Sequence, residues 1–272
     1  MENSPGIDNP FALAQQAADA LRERSGVEKY DIALVLGSGW GESADLIGTT
    51  LSEVPAAEIP GFHAPAVAGH NASLRTIRVE ETGKIALVLG SRTHYYEGRG
   101  TRAVAHGMRT AAAAGATQVV LTNGCGGLNP SWAPGQVVLI RDHINLTGAT
   151  PLEGATFVDL TDLYSTRLRT LAHTVDQTLP EGVYVQFPGP QYETPAEVKM
   201  AGIIGGDLVG MSTTLEAIAA REAGMEILGL SLMTNLAAGI GTEPLSHKEV
   251  IEIGQAAAPR IAKLLAQIVN RM

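Results

Sequence analysis

The chain has 272 residues, of which 45% are hydrophobic and 17% are charged. This balance is typical of a globular protein and excludes a chain dominated by disorder. The formal net charge is -9, with no run of Lys or Arg to offset it, which argues against duplex nucleic acid or an anionic membrane surface as the main partner.

The N-terminal segment and the cysteine content bear on the cellular compartment. Residues 1–10 are polar and lack the basic and then apolar pattern of a secretory signal, and we expect about residues 1–9 to form a flexible tail. The sequence has one cysteine, Cys125, which excludes an internal disulfide and suits a reducing environment. The apolar runs are too short to span a bilayer. We therefore expect a cytoplasmic protein.

Short apolar runs rich in Val, Ile and Leu recur along the chain and predict strands that are buried on both faces. They lie at residues 32–36, 85–89, 119–121, 137–140, 183–186 and 227–232. Helical patterns separate several of them. One pattern, at 11–24, starts after Pro10 and stops before Gly26, and another covers 101–114.

Three further helix starts are indicated by the Ser/Thr-x-x-Glu signal, at residues 194–197, 213–216 and 246–249. The last helix, from about 247 to 271, contains Pro259, which predicts a kink or break. Alternating strands and helices predict an α/β fold. We expect a single domain over residues 1–272, with a central mixed, largely parallel β-sheet flanked by helices.

Glycine clusters follow several of the predicted strands, at 37–41, 123–127, 189–190 and 239–241. Ligands of open α/β sheets bind beyond the carboxyl ends of the strands, and glycine lets backbone N–H groups approach an anion closely. The pattern therefore predicts one cleft built from strand-end loops. Loop 37–41 is not a dinucleotide fingerprint, because its third glycine comes too early. It is either a phosphate-binding loop, with Ser38 as an added donor, or a plain tight turn.

The segment after the second predicted strand carries three polar side chains in alternation, Arg92, His94 and Tyr96. In an extended chain these side chains project to the same side. A guanidinium, an imidazole and a phenol on one side suit an oxyanion. The alternative is a polar strand end at the surface, but three donors beside a glycine loop favour the oxyanion site.

Three other positions each allow two interpretations. Glu193, just before a helix start, is either a charge favoured by the helix dipole or an acceptor in the cleft beside the Tyr192 ring. Ser212 either binds phosphate at a helix N-terminus or has a capping role. Asn235, at a strand end, either reads a base or starts a turn. The histidines lack metal-ligand spacing and there is no Walker A loop, so we expect no metal or nucleotide cofactor.

Nine short stretches form an ordered set over nearly the whole chain. They are LGSG at 36–39, IPGF at 59–62, GH at 69–70, RTHYYEG at 92–98, TNGCGGLN at 122–129, DHIN at 142–145, GPQYET at 189–194, VGMST at 209–213 and TN at 234–235. Together they resemble the trimeric purine nucleoside phosphorylase family, which also includes methylthioadenosine phosphorylase.

The resemblance implies a role for each matching residue. Phosphate would be held by Ser38, Arg92, His94, Ser212 and the backbone N–H of Gly124, with His70 approaching it. The ribose would contact Tyr96, Met211, His247 and, from a neighbouring subunit, Phe157. The purine would contact Tyr192, Glu193, Val209 and Asn235. The residues assigned to catalysis are Asn235, Glu193 and His94.

The implied activity is that of a pentosyltransferase. Inorganic phosphate, as co-substrate, would cleave the N-glycosidic bond of inosine, guanosine and their 2′-deoxy forms to give the free base and (deoxy)ribose 1-phosphate. The resemblance implies a homotrimer acting on small molecules without a cofactor. Family members that act on 6-aminopurines carry Asp at the position of Asn235. Alternative interpretations are an adenosine or methylthioadenosine phosphorylase, a non-catalytic nucleoside-binding protein on the same fold, and a dehydrogenase, which the glycine spacing disfavours.

Overall fold

The computed structural model describes residues 9–63, 73–90, 92–241 and 246–272, and of residues 247 and 249 only the helical backbone. The strands within these ranges are β1 (Ile32–Val35), β2 (Gly48–Pro55), β3 (Ser73–Val79), β4 (Ile85–Leu89), β5 (Gln118–Gly127), β6 (Val137–Asn145), β7 (Glu181–Gln186), β8 (Leu208–Gly210) and β9 (Glu226–Leu236). The helices are α1 (Pro10–Ser25), α2 (Gly100–Ala113), α3 (Thr166–Val175), α4 (Pro195–Ile203), α5 (Thr214–Glu222) and α6 (His247–Val269).

The described strands form one sheet in the order β2-β3-β4-β1-β5-β8-β7-β6-β9. Strand β9 also pairs with β5, so strands β5, β8, β7, β6 and β9 form a closed ring. The parallel pairs are β1–β4, β1–β5, β5–β9, β6–β7 and β7–β8. The antiparallel pairs are β2–β3, β3–β4, β5–β8 and β6–β9. The predicted mixed α/β fold is confirmed.

Both faces of the sheet are covered by helices. Along β1, Ala33 and Val35 pack into one core with residues of α1, α2 and α5. The alternate residues, Ile32 and Leu34, pack into a second core with residues of α3 and α6. Because both faces are buried, the strands need no polar alternation. Within the described ranges, no helix combines the length and the apolar character needed to cross a membrane.

Two predictions about the chain ends need correction. The predicted tail extends to residue 9, but Asn9 is the N-cap of α1 and its side chain accepts from the N–H groups of Phe11 and Ala12; residues 1–8 lie outside the described residues. Of the predicted kink or break before Pro259, the break is wrong, because α6 continues through the proline. Buried Ala257 and Ile261, on either side of the proline, pack into the second core, and this packing offsets the lost backbone hydrogen bond.

Candidate active site

A cavity opens where the loops after several strands converge. Its lining includes residues that are distant in sequence but meet at the carboxyl ends of β1, β4, β5, β8 and β9. Among the predicted site residues, those that line it are Ser38, Arg92, His94, Tyr96, Gly124, Tyr192, Glu193, Val209, Met211, Ser212 and Asn235. The sheet therefore brings the residues assigned to phosphate and those assigned to the base into one space, as expected for strand-end loops.

The loop after β1 lies close against β5 because residue 37 has no side chain. A Cβ at Gly37 would lie 2.6 Å from the Thr122 carbonyl oxygen and 2.7 Å from Arg92 Nη1. The Gly37 N–H donates to Thr122 Oγ1 at 2.9 Å. Further along the same loop, Trp40 Nε1 donates to the Asn123 carbonyl at 3.0 Å. The backbone beside Ser38 is thus fixed against the strand that carries Gly124.

We expect Gly37→Ala to destabilise the fold by about 1–3 kcal/mol, as overpacking of a tight site does. The matched control is Gly41→Ala in the same loop, where an added Cβ meets nothing within 4 Å. Thermal unfolding of the two variants would separate close packing from loss of glycine flexibility. Equal melting temperatures would contradict the steric argument.

Arg92 lines the cavity and is buried, with its side chain 2% exposed. Its Nε donates to Glu216 Oε1 at 3.1 Å, and its Nη1 donates to the Thr122 carbonyl at 2.7 Å. Its Nη2 is buried and has no hydrogen-bond partner among the described residues. A buried guanidinium nitrogen without an acceptor is costly, so this part of the cavity wall suits an anionic oxygen.

The start of α5 lies beside Arg92. Thr213 is the N-cap and has a φ of 78°, an uncommon conformation for a residue other than glycine. Three contacts hold it. Its N–H donates to Glu216 Oε2 at 3.0 Å, its hydroxyl accepts from Asn123 Nδ2 at 2.9 Å, and it lies 3.2 Å from the Ser212 hydroxyl. This network directs Ser212 to the cavity at a helix N-terminus, where anions are favoured.

His94 and Tyr96 reach the cavity by a route that differs from the predicted one. Tyr95–Glu97 is a 3-10 turn, so the segment is not extended through residue 96. The two rings nevertheless stack, with centroids 4.8 Å apart and planes 13° apart. His94 Nδ1 lies 3.4 Å from Glu97 Oε1, and burial raises the pKa of Tyr96. The turn therefore keeps an imidazole and a neutral phenol together on the cavity wall.

The cavity wall also contains an amide and a carboxylate, those of Asn235 and Glu193. Asn235 Nδ2 donates to the Leu236 carbonyl at 2.9 Å, and Asn235 Oδ1 accepts from the Thr234 hydroxyl at 2.8 Å. These two contacts fix the orientation of the amide. The strand register also contributes, because Gly126 of β5 pairs with Val209 on one side and with Asn235 on the other.

Glu193 is the carboxylate that lines the cavity together with the Asn235 amide. It is 8% exposed, and its Oε1 is buried with no hydrogen-bond partner within the described part of the chain. Burial raises its pKa, because a low-dielectric surrounding disfavours the charged form. Tyr192 is 40% exposed and lies at the cavity edge. Glu193 thus lines the cavity with a buried carboxyl oxygen that has no donor among the described residues.

Three predicted residues are not placed in the cavity. Phe157 is 94% exposed and does not line it. His70 lies outside the described residues, and of His247 only the backbone at the start of α6 is described. The sequence interpretation gave no site role to Asn123 or Thr234, which both line the cavity. Each directly precedes a predicted residue, and this adjacency was the available signal.

Asn123 has a side-chain oxygen that is buried and, within the described ranges, without a hydrogen-bond partner. The described His, Cys, Asp and Glu side chains form no group of three or more that could hold a metal ion. Cys125 also lines the cavity, and burial raises the pKa of its thiol to about 12. Its thiol is therefore neutral, and the polar chemistry of the cavity belongs to its arginine, hydroxyl, amide and carboxylate groups.

Comparisons with known proteins agree with this geometry. Residues 31–270 match the model of the phosphorylase superfamily. Purine nucleoside phosphorylase from Cellulomonas sp is 66% identical over 99% of this chain and 98% of its own. The enzyme of that name from Mycobacterium leprae is 53% identical over 97% of both. The crystal structure of isoform 2 of purine nucleoside phosphorylase from Schistosoma mansoni, in complex with cytosine and ribose-1-phosphate, has a TM-score of 0.88 at 30% identity and 99% coverage of both chains. The chain therefore belongs to the phosphorylase superfamily and, within it, to the purine nucleoside phosphorylases, which are pentosyltransferases.

Proposed function

We propose that the enzyme uses inorganic phosphate to cleave the N-glycosidic bond of inosine, guanosine and their 2′-deoxy forms. The carrying observation is a single cavity lined by two different sets of polar groups. Arg92 and Ser212, which we propose as the phosphate end, and Glu193 and Asn235, which we propose as the base end, line the same space. Ribose-1-phosphate in the Schistosoma mansoni relative supports phosphate as the attacking group. The products would be the free purine and (deoxy)ribose 1-phosphate.

The phosphate end fits an anionic nucleophile. Breaking a glycosidic bond develops positive charge on the sugar ring, and a phosphate dianion beneath the ring both stabilises and attacks that cation. Arg92 Nη2 and the Ser212 hydroxyl would bind its oxygens, together with Ser38, His94 and the backbone N–H of Gly124, all on the cavity wall. We include His70 in this set by resemblance. Fixed donors of this kind need no reorganisation when charge moves.

The base end fits a purine with an oxygen at position 6. Among its contacts with the described residues, the orientation of Asn235 leaves one N–H of Nδ2 and one lone pair of Oδ1 unused. The amide would donate to O6 while its oxygen accepts from N7 as that atom becomes protonated, and this stabilises the departing base. The other Asn235 orientation would place two acceptors together at Leu236. A group with both functions suits hypoxanthine and guanine.

Glu193 would add the second base contact. When ionised, its carboxylate accepts from N1–H of hypoxanthine or guanine. In adenine N1 carries only a lone pair, so acceptor would face acceptor, and a mispaired buried polar group discriminates strongly. We therefore propose adenosine as a poor substrate. The Tyr192 ring and Val209, both on the cavity wall, would contact the purine ring itself.

We expect Glu193→Gln to raise the melting temperature at neutral pH and to lower kcat/KM for inosine. The folded-state pKa of Glu193 is raised by burial, so the folded protein bears the cost of the charge above that pKa. Below the unfolded pKa the group is neutral in both states and the cost vanishes. The melting-temperature advantage of the variant should therefore disappear as pH falls below about 4.

Thermal unfolding measured across this pH range checks the expectation. Glu252→Gln is the control, because the Glu252 side chain is 61% exposed and its charge is already solvated in the folded state. A Glu193→Gln variant that is less stable than the wild type at neutral pH would show that this carboxylate is stabilised by a partner rather than strained by burial.

The remaining roles are proposed from the family resemblance. Tyr96 and Met211 line the cavity and would contact the ribose, with His247 at its 5′-hydroxyl. Phe157 is exposed, as a residue lent to a neighbouring subunit must be before assembly, and we propose a homotrimer, which the mass in solution would test. We further propose that the enzyme works in the cytoplasm and needs no cofactor besides its co-substrate phosphate.

One assay tests the proposed function. The protein is incubated with inosine, with and without inorganic phosphate, and hypoxanthine is followed. Release that depends on phosphate supports the proposal. Tight inosine binding without turnover would instead indicate a nucleoside-binding protein. Faster turnover of adenosine or methylthioadenosine than of inosine would overturn the assigned base preference while leaving the phosphorolysis intact.

A further inference from the structure

A buried carboxylate, Glu216, connects two parts of the phosphate end. Its side chain is 5% exposed and lies in the first turn of α5. Its two oxygens are 3.1 Å and 3.0 Å from Arg92 Nε, and one of them also accepts from the Thr213 N–H at 3.0 Å. Glu216 is not among the residues that line the cavity, so any action on a ligand passes through its neighbours.

A second helix shows what capping alone requires. In α4, Glu197 occupies the same position relative to its N-cap, and it accepts from the Thr194 N–H at 2.7 Å. Glu197 is only partly buried, and the ion pairs of the described residues include none between it and an arginine. A capping carboxylate therefore needs neither full burial nor a cation. The burial of Glu216 against Arg92 points to an additional role.

The contacts of Glu216 set the direction of two phosphate-binding groups. Arg92 Nε donates to Glu216 and Arg92 Nη1 donates to the Thr122 carbonyl. These two contacts fix the orientation of the planar guanidinium, and its third nitrogen, Nη2, has no partner among the described residues. The same carboxylate fixes the Thr213 backbone at its φ of 78°. The Thr213 hydroxyl lies 3.2 Å from that of Ser212, so the Ser212 position depends on this conformation.

We propose that Glu216 is a positioning residue for phosphate, acting through Arg92 and Ser212; this inference rests on the proposed function. A carboxylate beside the site also repels the phosphate dianion. Positioning and repulsion predict opposite changes in phosphate affinity. If positioning dominates, loss of the Glu216 charge weakens phosphate binding. If repulsion dominates, the same loss strengthens phosphate binding. The sign of the change in KM for phosphate therefore decides between them.

The test substitutions are Glu216→Gln and, as matched control, Glu197→Gln. Both Glu216 oxygens lie close to Arg92 Nε, so in glutamine, which has one oxygen, an NH2 group faces this donor in either orientation and the negative charge is lost. Because a hydrogen bond to a charged group is lost, we expect KM for phosphate to rise about tenfold or more. KM for inosine should stay within about twofold, since the base contacts are untouched. Glu197→Gln should leave KM for phosphate unchanged.

A double-mutant cycle tests whether Glu216 acts on phosphate binding through Arg92. Lysine at position 92 keeps the positive charge but lacks the Nε fork, so Glu216→Gln should raise KM for phosphate clearly less in an Arg92→Lys background than in the wild type. A purely structural role would lower the melting temperature without moving KM for phosphate. Should Glu216→Gln fail to fold, Glu216→Asp keeps the charge but is one methylene short of both donors, and the same rise in KM is expected.

Phosphate-dependent hypoxanthine release by the wild type is measured first, because its absence would overturn the proposed function itself. If the wild type is active, an unchanged or lowered KM for phosphate in folded Glu216→Gln overturns only the role of Glu216. An equal rise in the Arg92→Lys background would also overturn it, because the effect would then not pass through Arg92.

Discussion

Asn235→Asp should shift the preference of the enzyme from inosine toward adenosine. In the wild type the Asn235 amide carries one donor and one acceptor in a fixed orientation. Aspartate replaces the donor with an oxygen, so O6 of hypoxanthine loses its hydrogen bond and faces an acceptor. We expect kcat/KM for inosine to fall by about 10²–10³, the effect of removing one donor to a developing charge. The 6-amino group of adenine donates, so adenosine should gain.

Steady-state kinetics with both nucleosides checks this expectation, and Asn235→Ala is the informative companion. Alanine removes donor and acceptor together, so it should lower kcat/KM for inosine without improving adenosine. A gain for adenosine in both variants would mean that space, rather than hydrogen-bond polarity, sets the preference. Wild-type kinetics for both nucleosides in Asn235→Asp would remove Asn235 from the base site.

Arg92→Ala should abolish saturation by phosphate and also destabilise the protein. The functional loss follows from the phosphate contact that we propose for the Arg92 guanidinium, which lines the cavity. The loss of stability follows from Glu216, whose side chain is 5% exposed and would be left as an uncompensated buried charge. Breaking one half of a buried ion pair typically costs about 3–5 kcal/mol. Chemical denaturation and phosphate titration measure the two effects separately.

Combining Arg92→Ala with Glu216→Gln should separate stability from activity. The double variant has no buried charge at this place, so most of the lost stability should return. Saturation by phosphate should stay lost, because no guanidinium is present. A double variant that remains as unstable as Arg92→Ala would show that Arg92 stabilises the fold through its contact with the Thr122 carbonyl rather than through charge.

The fold was predictable where a strand is apolar throughout. The run at 85–89 is strand β4, and the other predicted runs lie within β1 and its loop, β5, β6, β7 and β9. Strand β2 was not predicted, because most of its side chains are at least partly exposed and it shows no apolar run. Strand β8 has three residues, too few for a periodic signal. Strand β2 is defined by its pairing with β3, and β8 by its pairing with β5 and β7.

The site was predictable where a chemical group stands next to a glycine loop or a helix start. Ser38, Arg92 and Ser212 carried such signals, and the structure places them on one cavity. Glu216 was visible only as the last residue of a capping pattern, since nothing in a single sequence shows that residue 216 contacts residue 92. The amide orientation of Asn235 likewise depends on its contacts with the Thr234 hydroxyl and the Leu236 carbonyl, and only the three-dimensional structure shows these contacts.

The closed ring of strands constrains how new specificities can arise. Gly126 pairs with Val209 on one side and with Asn235 on the other, so the backbone at the proposed base site has no free edge along which one strand could slide. A larger or differently substituted purine therefore cannot be admitted by gradual displacement of the main chain there. Laboratory evolution toward such bases should accumulate side-chain replacements at the rim, on the Tyr192 side, and leave the ring intact.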